Sequence, residues 1–176
     1  MAIHSYSLGA PVWSHAQWVG SLYRTGSRAQ DFLSQYSSVF NTVEGNTTFY
    51  ATPSSEVALR WLDHTPEDFE FCLKLPRIVT HEIRLRQHAW LHIERFLEAM
   101  APLRRRLGPF LIQVAPSFSG EDFDVLQRFI PRLPHEYSWA LEVRHRDYFG
   151  ESSLNNELDS LLEGCGIDRV LFDTRG

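Results

Sequence analysis

The sequence predicts an α/β fold with a parallel sheet, and three observations carry that prediction. Apolar segments of strand length alternate along the chain with segments of helical period. Their order is strand then helix, repeated, which calls for crossover helices between parallel neighbours. Right-handed βαβ units leave two closures, an open doubly wound sheet or a (β/α)₈ barrel. No strand–GxGxxG–helix and no GxxxxGK followed by Ser or Thr is present, which weighs against nucleotide-binding open sheets. Polar residues gathered at the C-terminal ends of the strands favour a TIM-barrel-like closure.

In chain order, residues 5–9 read as a short, weakly apolar first strand. "RAQDFLSQYSS" (28–38) sets Phe32, Leu33 and Tyr36 at helical spacing. "VFNTVE" (39–44) is the second strand. "TPSSEVALRWLDHTPEDF" opens a helix, with Ser54 or Thr52 as cap and Val57, Leu59, Trp61 and Leu62 on its apolar face. "FEFCLKL" (69–75) alternates with period two, as a strand does. A long helix follows over about 87–107, with Pro102 expected to kink or split it and Gly108-Pro109 to end it. "FLIQVA" (110–115) is the fourth strand, and an amphipathic helix runs from Glu121 to Ile130 and stops at Pro131. "SWALEV" (138–143) is the fifth strand, "SLNNELDSLLEGCG" a helix ending at Gly164 or Gly166, and "RVLFD" (169–173) the sixth strand.

At 176 residues and 43% hydrophobic, the chain suits one domain with its own core. It ends at "FDTRG", directly after the sixth strand, whereas a (β/α)₈ barrel needs about 250 residues. The expectation is a single barrel-like domain over 1–176 that lacks its last strands and helices. A net charge of −5 argues against a dedicated nucleic-acid binder. Cys72 and Cys165 are too few for a disulfide framework and lack metal-site spacing. The opening residues show no secretory pattern, and no window nears the roughly 20 apolar residues of a membrane span. A cytoplasmic protein is expected.

Parallel α/β proteins bind ligands outside the carboxyl ends of their strands. Ionisable and amide groups fall there: Glu44 and Asn46 after the second strand, Lys74 and His81 after the third, Gln113 at the fourth, Glu142, Arg144 and His145 at the fifth, and Asp173 at the sixth. Two readings stay open for each: a site, or an ion-paired plug at the polar end of a barrel. His81 and His145 could equally be loop histidines, and Trp13 and Trp18 core or lid packing. Glu44, Glu142, Asp173 and a histidine could ligate a cation, but Lys74 and Arg144 among them would repel it. With no GxSxG elbow, acid–base work by Glu44 or Glu142, paired with Lys74 or a histidine, is the better chemistry. Lys74 as a Schiff-base nucleophile is a further option. The basic run "LRRRLG" reads as solvated residues at a helix end. The partner expected is a small polar or anionic molecule; nothing in the sequence names a cofactor.

Four ordered blocks, "FNTVEGNTTFYATPS", "FEFCLKLPRIVTHEIRLR", "LGPFLIQVAPSF" and "ALEVRHRDYF", resemble the domain of unknown function 72 family, the YecE-like proteins. The resemblance covers essentially the whole chain. It implies a TIM-barrel-like fold, no established activity, and polar motif positions at Glu44, Asn46, Lys74, His81, Gln113, Glu142, Arg144, His145 and Asp173. This chain departs from the pattern at Ala115, where proline is frequent before Pro116. It departs again at Arg146-Asp147-Tyr148, in place of a commoner Pro-x-Trp, and in its glycine-poor opening "LGAPVWSH". Family members are also longer.

Overall fold

A computed structural model describes residues 6–172. The chain forms two compact units: residues up to Lys74 together with Leu97–Gly108, and Leu75–Phe96 together with residues from Pro109 onward.

The first unit is built on two parallel strands, β1 (Thr42–Gly45) and β2 (Glu70–Leu73), with Val43 opposite Phe71 and Glu44 opposite Cys72. Helix α1 (Ala29–Ser37) precedes β1, and a single helical turn, α2 (Thr47–Tyr50), follows it. Helix α3 (Ser55–Asp63) then leads to β2. The core is aromatic. Trp61 lies 5.2 Å from Trp13 and 5.8 Å from Phe71, and Phe69 packs 5.0 Å from Phe71. Edge-to-face and offset ring pairs of this kind add to the area they bury. Buried hydroxyls are directed to the backbone: Tyr36 donates to Thr42 O at 3.0 Å, and Tyr23 donates to Trp13 O.

The second unit holds three parallel strands in the order β3 (Phe110–Gln113), β4 (Trp139–Glu142), β5 (Asp168–Arg169), with Gln113 opposite Glu142. Helix α4 (Ala89–Met100) begins in this unit, where Ile93 and Phe96 are buried. Helices α5 (Phe123–Phe129) and α6 (Ser153–Cys165) follow β3 and β4. Ser152 caps α6 by accepting from Asn155 N at 3.1 Å. Gly166 closes it at φ 66°, a left-handed backbone that glycine adopts without penalty.

The expected mixed α/β architecture with parallel strands is present, with five strands in sheets of two and three among the described residues. The expected first strand is not one. Residues 6–9 carry no strand, and Ser5 lies outside the described residues. This weakly apolar segment is held beside β1 by a side chain instead: Leu8 N donates to Asn41 Oδ1 at 2.7 Å, and Asn41 Nδ2 donates to Tyr6 O at 3.3 Å. Gly9 makes the approach possible, since a Cβ there would collide with Thr42 O.

The expected strands 39–44, 69–75, 110–115 and 138–143 all form but are shorter, because only residues with a paired neighbour join a ladder. The long helix expected over 87–107 ends at Met100, and Pro102 opens a 3₁₀ segment, Ala101–Arg106. The basic run is not uniformly solvated. Arg106 donates to Leu62 O at 3.0 Å and to Thr65 O at 3.1 Å, placing a cation on the carbonyls at the end of α3. No helix of the described residues is long and apolar enough to cross a membrane.

Candidate functional site

Both units end their paired strands in charge. In the first, Lys74 follows β2 and its Nζ lies 2.9 Å from Glu44 Oε1 at the end of β1. The lysine side chain is only 8% exposed and the glutamate 39%, so the carboxylate is the member open to solvent. The Lys74 ammonium also lies 5.9 Å from the centre of the Phe49 ring. Thr48 ties the two strand ends together: its Oγ1 lies 2.8 Å from Gly45 O and 2.6 Å from Lys74 O, one hydroxyl proton serving two carbonyls. Asn46 points its amide elsewhere, donating to Pro11 O at 2.9 Å.

In the second unit, parallel register sets Gln113 beside Glu142, and Gln113 Nε2 donates to Glu142 Oε2 at 2.7 Å. Arg144, two residues on and therefore on the same side of the extended chain, brings its Nε to 3.3 Å from Glu142 Oε1. That contact lacks hydrogen-bond geometry, and Oε1 is a buried oxygen without a hydrogen-bond partner among the described residues. Exposure is inverted relative to the first unit: Glu142 is 6% exposed and Arg144 36%. The guanidinium lies 5.3 Å from the Phe172 ring.

The other expected site residues are engaged locally. His145 caps the helical turn Arg146–Tyr148; its Nδ1 lies 3.4 Å from Asp147 N and 3.1 Å from Asp147 Oδ2. His81 sits in a short π-helical segment, Ile78–Glu82, with Nδ1 2.9 Å from Thr80 Oγ1. Asp173 lies outside the described residues. Among the described residues no three His, Cys, Asp or Glu side chains cluster as a metal-holding group. Burial pushes the Cys72 thiol above its ordinary range, more than the contact with Thr42 lowers it, so it is a poor thiolate nucleophile.

Some residues that organise these regions carry no sequence signal of their own. Thr48 is fully buried although its neighbours in "EGNTTFY" look like a solvated rim. Arg84 donates to Asp122 Oδ2 at 2.6 Å and to Ser117 Oγ at 3.0 Å, from a backbone at φ 55°. Tyr148 donates to Ser119 O at 2.5 Å, and burial, with the charges of Asp122 and Asp147, raises its phenol. A rule of capping or periodicity finds none of these, because each depends on segments distant in sequence.

The family model "Protein of unknown function DUF72" matches residues 7–176. The chain belongs to the DUF72 family. The UPF0759 protein YecE of Escherichia coli K12 is 38% identical over 168 residues, covering 96% of this chain, and its counterpart in Escherichia coli O157:H7 is equally similar. The chain spans 59% of the length of these curated relatives. Two solved DUF72 structures share the fold. One, from Enterococcus faecalis V583, has a TM-score of 0.76 at 24% identity, covering 95% of this chain and 60% of that one. The other, from Thermotoga maritima MSB8, has a TM-score of 0.71 at 29% identity, covering 95% and 64%.

Proposed function

We propose that this DUF72 chain belongs to an enzyme that binds a small, polar, anionic molecule at the C-terminal ends of its strands and moves a proton with a carboxylate. The observation that carries the reading is Glu142. A carboxylate that is 6% exposed, with one oxygen fixed by Gln113 and the other buried without a hydrogen bond among the described residues, is costly unless something completes it. In this reading Glu142 Oε1 exchanges a proton with the ligand, Gln113 orients the carboxylate, and the half-exposed Arg144 guanidinium receives the ligand's anionic group. Glu44 and Lys74 carry the same carboxylate and lysine chemistry at the ends of β1 and β2. His81 and His145 belong to the proposal as ligand contacts in the second unit, and Asn46 belongs beside Glu44 in the first.

The fold that accompanies this reading is TIM-barrel-like; strand–helix alternation and exclusively parallel pairing among the described strands support it. A cytoplasmic setting fits two free thiols, Cys72 and Cys165.

A rival reading, a non-catalytic binding or scaffold protein, is favoured by the Glu44–Lys74 contact, in which a buried ammonium already has its counter-charge at 2.9 Å. Thermal denaturation of the full chain against succinate and inorganic phosphate separates a ligand site from a purely structural scaffold. The proposal predicts stabilisation that Arg144→Ala abolishes. Glu142→Gln, which removes the like charge near the ligand, retains or increases it. Equal shifts in wild type and Arg144→Ala would refute the site.

A further inference from the structure

The second unit carries another concave feature, away from the strand-end residues just described. A cavity of about 240 Å³ is walled by Trp90, Leu85, Val125 and Phe129 and rimmed by Arg86, Arg128 and Arg132. We propose that it is a binding site for a small organic anion: a phosphate or carboxylate head on a short, flat apolar body.

Charge, shape and backbone converge on this assignment. Among the described residues, three guanidiniums line the cavity and no carboxylate does. Their neutralisation is uneven. Arg128 is paired with Asp124 at 2.5 Å. Arg86 reaches Asp122 only at 3.9 Å, and that carboxylate is already engaged by Arg84 at 2.6 Å. Arg132 lies 4.6 Å from the Trp90 ring centre, a cation–π contact that orients the guanidinium and leaves its donor fork available.

The wall beneath is apolar and packed. Phe129 and Leu85 are buried, and Phe129 stacks on Trp90 at 4.9 Å. Ligand pockets typically combine such walls with a few fixed polar groups, usually over about 300–1,000 Å³, so this smaller volume selects a small ligand.

The backbone that presents one side of the cavity is strained. Arg84 and Leu85 are consecutive non-glycine residues at φ 55° and 59°. Left-handed backbone at a non-glycine residue is uncommon and collects at ligand clamps. Here the Arg84 contacts to Asp122, Ser117 O and the Phe118 ring hold it. The turn delivers Leu85 to the wall and sends Arg86 and Gln87 to the rim.

The test follows the Trp90 indole N–H resonance, assigned by its loss in Trp90→Phe, as phenyl phosphate, benzoate or inorganic phosphate is added to the full chain. A saturable shift is expected with phenyl phosphate or benzoate, the stronger of the two identifying the head group, and a weaker one with inorganic phosphate. Arg132→Ala, an exposed substitution, should raise the Kd about tenfold, the worth of one charge-assisted hydrogen bond, and adding Arg86→Ala should raise it further. Arg144→Ala should leave the Trp90 titration unchanged, which separates this site from the strand-end site. An unchanged Kd in the Arg86→Ala/Arg132→Ala double variant would overturn the proposal. So would equal affinity for inorganic phosphate and phenyl phosphate. A shift produced by an acidic peptide but by neither aryl anion would make the groove a protein-docking surface and overturn the small-ligand assignment.

Discussion

The charged ends of β1 and β2 and those of β3 and β4 use the same ingredients in opposite order. In the first unit the cation is buried and the carboxylate faces water; in the second the carboxylate is buried and the guanidinium faces water. The first pair is closed at 2.9 Å, while the second stops at 3.3 Å with one carboxylate oxygen lacking a hydrogen bond among the described residues. A buried charge is tolerable when paired and hydrogen-bonded. The first unit pairs its buried charge internally at 2.9 Å. The second leaves one oxygen of its buried carboxylate without a hydrogen bond among the described residues, which is why its cluster is the better candidate for an incoming ligand.

The largest perturbation of both regions is expected in alkali. Burial pushes the Tyr23 phenol up from 10.0 to about 12 and raises Tyr36 in the first unit and Tyr148 in the second. A phenol held neutral in the folded state but free to ionise when unfolded contributes stability that is fully present below about pH 10. That stability is lost as pH rises through the folded value. Circular dichroism should therefore change together with the part of the tyrosinate absorbance that comes from the buried phenols, between about pH 10 and 12. Full ionisation of all tyrosines with the fold intact would contradict the assigned burial.

Next is Glu44→Gln, which strands the buried Lys74 ammonium. Breaking a buried pair costs about 3–5 kcal/mol, and the partial exposure of Glu44 reduces this to roughly 1–3 kcal/mol in urea unfolding. A loss below about 0.5 kcal/mol would mean that Lys74 does not depend on this partner. Thr48→Val removes the hydroxyl shared by Gly45 O and Lys74 O and should cost about 1–2 kcal/mol by the same measurement. The smallest effect is expected for Glu142→Gln. It keeps an acceptor for Gln113 and removes a charge that was incompletely paired, so stability should change by less than about 1 kcal/mol. A larger loss at Glu142 than at Glu44 would reverse the contrast between the two regions.

How much of this was legible in the sequence follows from what each feature depends on. The strands around Val43, Phe71, Ile112 and Leu141 were readable because alternation and apolar runs are local signals. The break at Pro102 was equally local. Residues 6–9 failed as a strand because their attachment to β1 comes from the Asn41 side chain, which no periodicity reveals. The proximity of Glu142 and Arg144 was visible in their spacing of two. The Glu44–Lys74 contact needed the parallel pairing of β1 with β2. His145 and His81, expected as ligand contacts, also contact their sequence neighbours Asp147 and Thr80, which their positions alone did not reveal. The arginine-rimmed cavity around Trp90 was not legible at all. Trp90 reads as one position on an amphipathic helix, and the cavity exists only once the strained turn at Arg84 and Leu85 and the end of α5 are folded beside it.

The contrast between a closed and an open pair is probed most directly by the Arg144 Nε–H resonance of the full chain, assigned by its loss in Arg144→Lys and followed during titration with succinate. A ligand site at Arg144 gives a saturable shift, with affinity in Glu142→Gln equal to or greater than that of the wild type. A resonance that does not move at saturating succinate would show that the exposed guanidinium beside the buried Glu142 carboxylate is a structural pair and not a ligand site.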